Sequence, residues 1–306
     1  MRAVVSGSSG YLGRALVAAL RAGGADIVPV VRHEPGPGEV GIDLAHRRLD
    51  TSRLPAGDLS GVTAVFNLAG EPLTPRRWGT AKLERIRSSR ILTTDLLARA
   101  IASLEQAELP ALVSMSAVGY FGDRGEEVLD ESAAAGTGFL AEVCRSWEAA
   151  TSPAREAGAR VVCARSGIVL GPGGGALAVQ RRLFGLGLGG RLGSGRQWTS
   201  WISIDDAIGA LLACASDPEL RGPVNFSAPA PVRNEEFTRA LGRALHRPTP
   251  FRVPRRVLVL ALGRRVADEF LLPSQRVLPR RLEAAGFTFA HPDLDGALAA
   301  ALADRK

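Results

Sequence analysis

The sequence predicts an α/β protein: a Rossmann-type, doubly wound parallel sheet with a smaller, mainly helical C-terminal lobe. Three observations carry this expectation. Short apolar, β-rich runs alternate with helix-period segments over the first 170 or so residues, the pattern of a sheet covered on both faces. A glycine-rich turn, Ser6-Gly7-Ser8-Ser9-Gly10-Tyr11-Leu12-Gly13, joins the first apolar run to the first helical one. Beyond that region the alternation gives way to Gly-rich irregular chain, and from Asn234 onward to helical pattern.

The elements follow in order. RAVVS (2–6) reads as a buried strand, and LGRALVAALRAG (12–23) as a helix stopped by Gly23 and Gly24. DIVPVV (26–31) is the second strand, weakened by Pro29. VGID (40–43) is a short third. VTAVFNLAG (62–70) is a fourth, followed by an Arg-rich helix over Thr80–Ser103. ALVSMSA (111–117) is the fifth strand; a helix over 139–157 and a strand ARVVCAR (159–165) complete the regular alternation. DDAIGALLACASD (205–217) is helical and PVNFSA (223–228) strand-like. Proline-bounded breaks fall at 248–254 and 273. This divides the chain into a dinucleotide-binding domain over 1–230, with a substrate loop at about 171–204, and a small helical domain over 231–306.

Composition narrows the function classes. A chain of 306 residues that is 46% hydrophobic fits a globular domain with an added lobe. No apolar run reaches a membrane span; VLVLALG (257–263) is too short and flanked by Arg. The chain enters its first strand without a signal-like segment, so a cytoplasmic protein is expected. The net charge of +7 raises a nucleic-acid partner. The only lysines, however, are Lys82 and Lys306, and the arginines are scattered with no aromatic interleaving. No nucleic acid and no membrane are expected as partners; the oligomeric state, monomer or homodimer, stays open. Cys144, Cys163 and Cys214 have no ligand spacing and read as buried small hydrophobes, and four scattered histidines define no metal site.

The chemistry begins at the glycine-rich turn. Gly7 can turn the chain out of the strand, Gly10 leaves room for a pyrophosphate, and Gly13 lets the helix press on the sheet. The N–H groups and dipole at the helix start then face an anion. The second strand ends in Arg32, where an acidic residue would meet a free ribose hydroxyl. A guanidinium there suits the 2′-phosphate of NADP(H). His33 beside it is read either as an adenine or phosphate contact or as a solvated side chain.

These residues resemble the extended short-chain dehydrogenase/reductases, which are similar to nucleotide-sugar epimerases. The loop at 6–13, Asp43-Leu44, Asn67-Leu68-Ala69-Gly70 and Ser114-Met115-Ser116-Ala117 all match that pattern. Longer segments, among them NLAGEPLTPRRW, FLAEVCRSWEAA, RSGIVLGPGGGAL and SQRVLPRRLEAAGF, are similar to the family 39U branch over nearly the whole chain. The resemblance implies an NADP-binding domain with a small C-terminal helical domain. It also implies cofactor contacts from Gly7, Ser9, Gly10, Tyr11, Leu12, Gly13, Arg32, His33, Asp43, Leu68, Ala69, Gly70, Arg85, Arg90 and Val169. For Arg85 and Arg90 a solvated helix position is the competing reading.

One departure is conspicuous. Such enzymes usually carry a Tyr and, four residues on, a Lys in the helix after the fifth strand. Here that helix offers Phe139, Leu140, Val143 and Cys144. Ser116 is read as a hydrogen-bond donor to a substrate oxygen, and Tyr120 as the first-named acid or cleft-lining phenol. Glu142 is expected to face solvent or an Arg such as Arg145 or Arg181. Trp147 and Glu148 are read as helix packing and a surface charge. Arg196, Gln197 and Trp201 are read as ligand-recognition candidates. Ser203 stands where relatives carry a His. Two functions are therefore expected in competition: an NADP(H)-dependent epimerase/dehydratase-like or reductase-like enzyme acting on an unidentified small molecule, or a non-catalytic NADP(H)-binding sensor or scaffold.

Overall fold

The computed structural model describes residues 1–74 and 76–303; Lys306 lies outside the described residues. Eight strands form the central sheet: β1 (Arg2–Ser6), β2 (Asp26–Val31), β3 (Val40–Asp43), β4 (Arg48–Asp50), β5 (Ala64–Asn67), β6 (Ala111–Ala117), β7 (Val161–Ser166) and β8 (Gly222–Phe226). Their spatial order is β8-β7-β6-β5-β1-β2-β3-β4, parallel except for β4, which runs antiparallel to β3. Chain order reverses between β1 and β5, and ligands of such sheets bind outside the carboxyl ends at this point.

Pro29 is accommodated because β2 pairs with β3 only at Val30 and Val31, so no partner on that side needs its missing N–H. On one face of the sheet, α1 (Tyr11–Ala22) and α6 (Ile204–Ser216) bury Leu16, Leu20, Ile208 and Leu211 against β1, β5 and β7. On the other, α2 (Thr80–Ala102) and α4 (Ser152–Glu156) bury Leu97, Ile101 and Ala154 against Val4, Val65 and Leu112. The helix expected over 139–157 is two helices: α3 (Phe139–Ala149) ends at Ala150, and Pro153 opens α4 after Thr151. Proline lacks the N–H a continuous helix needs but fits a first turn. The strand expected over 62–70 is shorter, because Leu68 leaves the ladder to cross the glycine turn.

The C-terminal part contains α7 (Asn234–Ala244), α8 (Arg255–Leu262), a π-helical turn (Val266–Leu271), α9 (Arg280–Ala284) and α10 (Leu294–Leu302). It also holds short strands that the helical pattern hid: 251–253 pairs with 190–192, 232–233 with 198–199, and 276–277 with 128–129. Each joins the lobe to chain before residue 200. A third apolar cluster packs Phe237, Leu241 and Leu298 on Leu170 and Trp201. The segment 171–204 contains α5 (Gly175–Gly185) rather than only loop. Among the described residues no helix is long and apolar enough to cross a membrane.

Candidate functional site

The glycine turn closes as its spacing requires. Gly7 has a φ of +70°, and a Cβ there would stand 2.9 Å from the Ala69 nitrogen. At Gly13 a Cβ would stand 2.1 Å from the Gly7 carbonyl oxygen, so the first turn of α1 lies directly on the turn below it. Gly10 starts α1; a Cβ there would meet only the Gly7 oxygen, at 3.1 Å, which leaves its outer side open. No side chain caps α1 and its first turn carries no acid. A helix start with uncapped N–H groups and a bare Cα on its outer side fits a diphosphate.

Ser6 at the end of β1 donates to Asn67 Oδ1 at 2.7 Å, and Asn67 donates to Thr94 and Ser114 at 2.7 and 3.1 Å. The same Ser6 accepts from the Ala69 N–H at 3.3 Å. This buried chain of hydrogen bonds sets the 68–70 backbone against Gly7. Arg90 lies beneath Gly70, donates to the Glu71 and Ile86 carbonyls, and stacks on Trp147 with 5.1 Å to the ring centre. It is a half-buried support of the 70–71 turn, not a freely solvated cation. Arg85 is more than half exposed and reaches Glu71, which is held chiefly by Lys82 at 2.7 Å. Lys82 in particular keeps the Glu71 carboxyl below its ordinary pKa.

Arg32 follows β2 directly and Asp43 ends β3, so both stand at the carboxyl edge. Asp43 accepts from the Ala45 and His46 N–H groups and bonds the His46 ring at 2.7 Å. His33 is exposed, its Nδ1 2.9 Å from the Glu34 carbonyl oxygen. Ser9 is exposed and its carbonyl accepts from Arg14. Leu12 is half-buried in the α1 core face. Val169 lies on the short strand 168–170, opposite Ile202. The Tyr11 ring lies on the glycines that open α5: a Cβ at Gly174 would stand 2.2 Å from it.

Around Ser116 the structure corrects three expectations. The Ser116 hydroxyl donates to Glu148 Oε1 at 2.7 Å. A carboxylate only accepts, so the serine's single hydrogen is committed and its lone pairs remain. With its hydrogen on Glu148, the Ser116 hydroxyl is not free to be the donor expected and has only lone pairs to offer. Glu148 is not a surface charge either. Its side chain is 14% exposed and takes a two-point contact from Arg165, 4% exposed, at 2.8 and 2.9 Å. Arg165 also lies 3.5 Å from the centre of the Tyr120 ring. A Ser–Glu–Arg–Tyr constellation thus joins β6, α3, β7 and the turn after β6. Third, Trp201 is fully buried with its N–H on the Ala230 carbonyl, and Gln197 is buried with its amide on Leu192. Both are structural. Arg196 is exposed.

Leu140 and Cys144 are buried, and burial above all pushes the Cys144 thiol up to about 12. Neither supplies a proton near neutrality. Glu142 pairs with Arg87 at 3.7 Å rather than with Arg145 or Arg181. Ser203 caps α6, accepting from the Asp206 N–H and donating to its carboxylate, a small-hydroxyl role that a histidine would fill differently. The Glu148–Arg165 pair was the feature the sequence concealed. The residues lie 17 positions apart on different elements, and neither position alone signals burial.

A glycine cradle at the switch point of a parallel sheet, with a polar cluster at the next strand end, defines a dinucleotide-binding protein of the short-chain dehydrogenase/reductase type. The model of the NAD dependent epimerase/dehydratase family matches residues 3–225, and a domain of unknown function, DUF1731, matches 253–301. The chain belongs to the NAD-dependent epimerase/dehydratase family. It is 47% identical to "Epimerase family protein MT2273" of Mycobacterium tuberculosis over 96% of this chain and 95% of that protein. It is 40% identical to "Epimerase family protein SDR39U1" of Bos taurus over 97% and 98%. The crystal structure of human SDR39U1 with NADPH superposes with a TM-score of 0.87 at 36% identity, covering 98% of this chain and 99% of that one.

Proposed function

We propose that this chain binds NADP(H) and acts as an epimerase/dehydratase-like or reductase-like protein on a small molecule. The observation that carries the reading is the cradle, where Gly7, Gly10 and Gly13 leave an uncapped helix start open to an anion. Human SDR39U1, so similar over its whole length, was crystallised with NADPH. Arg32 beyond β2 supports the phosphorylated ribose over the free one. Ser9, Tyr11 and Leu12 line the helix start, Leu68, Ala69 and Gly70 the ribose side, and Asp43 the adenine side; Val169 belongs to the nicotinamide end. Arg90 acts through the 70–71 turn.

The bound coenzyme supplies hydride transfer. The chain's own part is orientation. Ser116, its hydrogen on Glu148, accepts from a ligand hydroxyl or amide, and Tyr120 is the nearest phenol. Buried Leu140 and Cys144 give no acid–base pair, which favours the second reading, an NADP(H)-binding sensor or scaffold.

Calorimetric titration tests the binding claim. NADPH is expected to bind at least tenfold more tightly than NADH, and Arg32→Ala to lower NADPH affinity while sparing NADH. Equal affinities in the parent, or no heat with either coenzyme, would refute it. A carbonyl and alcohol panel with cofactor separates the readings: turnover supports the enzyme, and saturation without turnover the sensor.

A further inference from the structure

Among the described residues, seven of the nine large hydrophobic side chains that stand exposed fall in two short segments, 179–188 and 251–260. They are Val179 and Leu183 on α5 and Leu186 just past its end, spaced four and three apart and so on one face. Leu188 follows, its N–H bonded back to the Leu183 carbonyl. The second segment contributes Phe251, Val257 and Leu260. The pairing of 190–192 with 251–253 brings the two together, with Phe251 opposite Gly190. Leu186 is 74% exposed and Leu260 76%. Helix α8 has no charge from Val257 to Leu262, yet Leu258 is its only fully buried residue. A helix apolar on every side is ordinarily covered.

Charge says what covers it. There is no Asp or Glu from 157 to 204, and none from 237 to 267, a stretch that holds eight arginines. Several of these are neutralised from outside: Arg243 by Asp295, Arg255 by Asp268 and Arg265 by Glu269. Arg182, Arg247, Arg256 and Arg264 are exposed and make no ion pair among the described residues. Arg182 lies four residues before Leu186 and Arg256 four before Leu260, each on the same helix face as its leucine. A second copy docked face to face would set arginine against arginine. An anionic bilayer matches both components, with leucines and Phe251 at the acyl boundary and guanidinium groups at the phosphates.

Contrary to the expectation of no membrane partner, which rested on the lack of a spanning segment, we infer that the face formed by α5, the 186–188 turn and α8 docks on an anionic phospholipid surface. Helix α8 and the π-helical turn after it are tied to chain beside the candidate site: Arg77 donates to the Leu260 carbonyl of α8, and Glu269 of the turn accepts from the Leu140 N–H at the start of α3 at 3.1 Å. A docked molecule would therefore hold chain tied to the candidate site near the surface, where an amphiphilic substrate would be encountered. The inference does not depend on which coenzyme is bound.

Flotation of the full chain with vesicles tests it. Binding is expected to vesicles of phosphatidylcholine with added phosphatidylglycerol and not to phosphatidylcholine alone. The pair Leu186→Glu with Leu260→Glu, both highly exposed, should keep the parent's thermal midpoint and lose binding at least tenfold. Arg182→Ala and Arg256→Ala should each weaken it on the order of five-fold. Arg53→Glu with Arg145→Glu, exposed arginines elsewhere, should change it far less. The inference fails if the parent does not bind, if it binds uncharged vesicles equally, or if the remote pair loses as much as the face pair, since net charge alone would then account for adsorption. It also fails if sedimentation shows a dimer that the leucine variants dissolve, because a second copy would then cover the face.

Discussion

At the scale of single residues, close approach decides what each position can be. Gly13→Ala puts a methyl against the Gly7 carbonyl, and backbone cannot yield as a flexible side chain would. It is expected to cost about 3 kcal/mol, read as a lowered denaturant midpoint at unchanged slope; a loss within error would mean the turn is not closed this tightly. Glu148→Gln tests the other extreme. It leaves the Arg165 guanidinium buried with an amide acceptor but no counter-charge, and breaking such a pair costs about 3–5 kcal/mol. A surface glutamate would cost almost nothing, so urea unfolding discriminates sharply. The glycines were legible in the sequence because steric need maps one-to-one onto residue type. Glu148 was not: the same helix period that placed Trp147 in the core left Glu148 beside it, and only the register of β7 against β6 brings Arg165 across. Ser116 was legible as a site residue but not in its hydrogen-bond sense, which depends on that hidden carboxylate.

At the scale of elements, contacts between segments hold the cleft in shape. Glu126, in the loop after the Tyr120 turn, takes both guanidinium nitrogens of Arg233 at 2.7 Å and the Trp198 indole N–H at 3.0 Å. Arg233 and Arg276 lie over the Trp198 ring, 4.3 and 4.5 Å from its centre. The Arg233 hydrogen bonds, then that of Trp198, hold the Glu126 carboxyl down at about 2. Its folded pKa lies below the unfolded value, so the contact contributes its full stability above about pH 4.5. That contribution is lost as pH falls toward 2. Parent and Glu126→Gln should therefore differ by a constant amount in thermal midpoint above pH 5, the gap narrowing below pH 4.5 and closing near pH 2. A gap that persists at pH 2 would show that the carboxylate's charge is not what holds Trp198. The strand and helix alternation through β7 was readable because each run had one buried period. The short pairings at 190–192 and 198–199 were not, since two or three residues carry no period and their partners lie 33 or more positions away.

At the scale of the molecule, the division drawn at residue 230 meets a core that ignores it. Phe237, Leu241 and Leu298 bury themselves on Leu170 and Trp201, and Val277 completes a cluster with Phe121 and Leu129. Polar contacts cross as well. Glu131 accepts from the N–H groups of both Asn225 and Arg281, and Gln275 donates to the Val118 and Gly122 carbonyls that shape the Tyr120 turn. Segments that share buried side chains lose them together, so the whole chain should unfold in one calorimetric transition, with agreement between van't Hoff and measured enthalpies. A chain ending at 230 would expose Trp201 and Leu170 and leave the Val118 and Gly122 carbonyls without Gln275. It should bind the dye ANS and lack a sharp transition. Two resolved transitions in the full chain, or a cooperative melt from the truncated one, would mean that the sheet domain folds alone and that the lobe is an addition to a finished site rather than one of its walls.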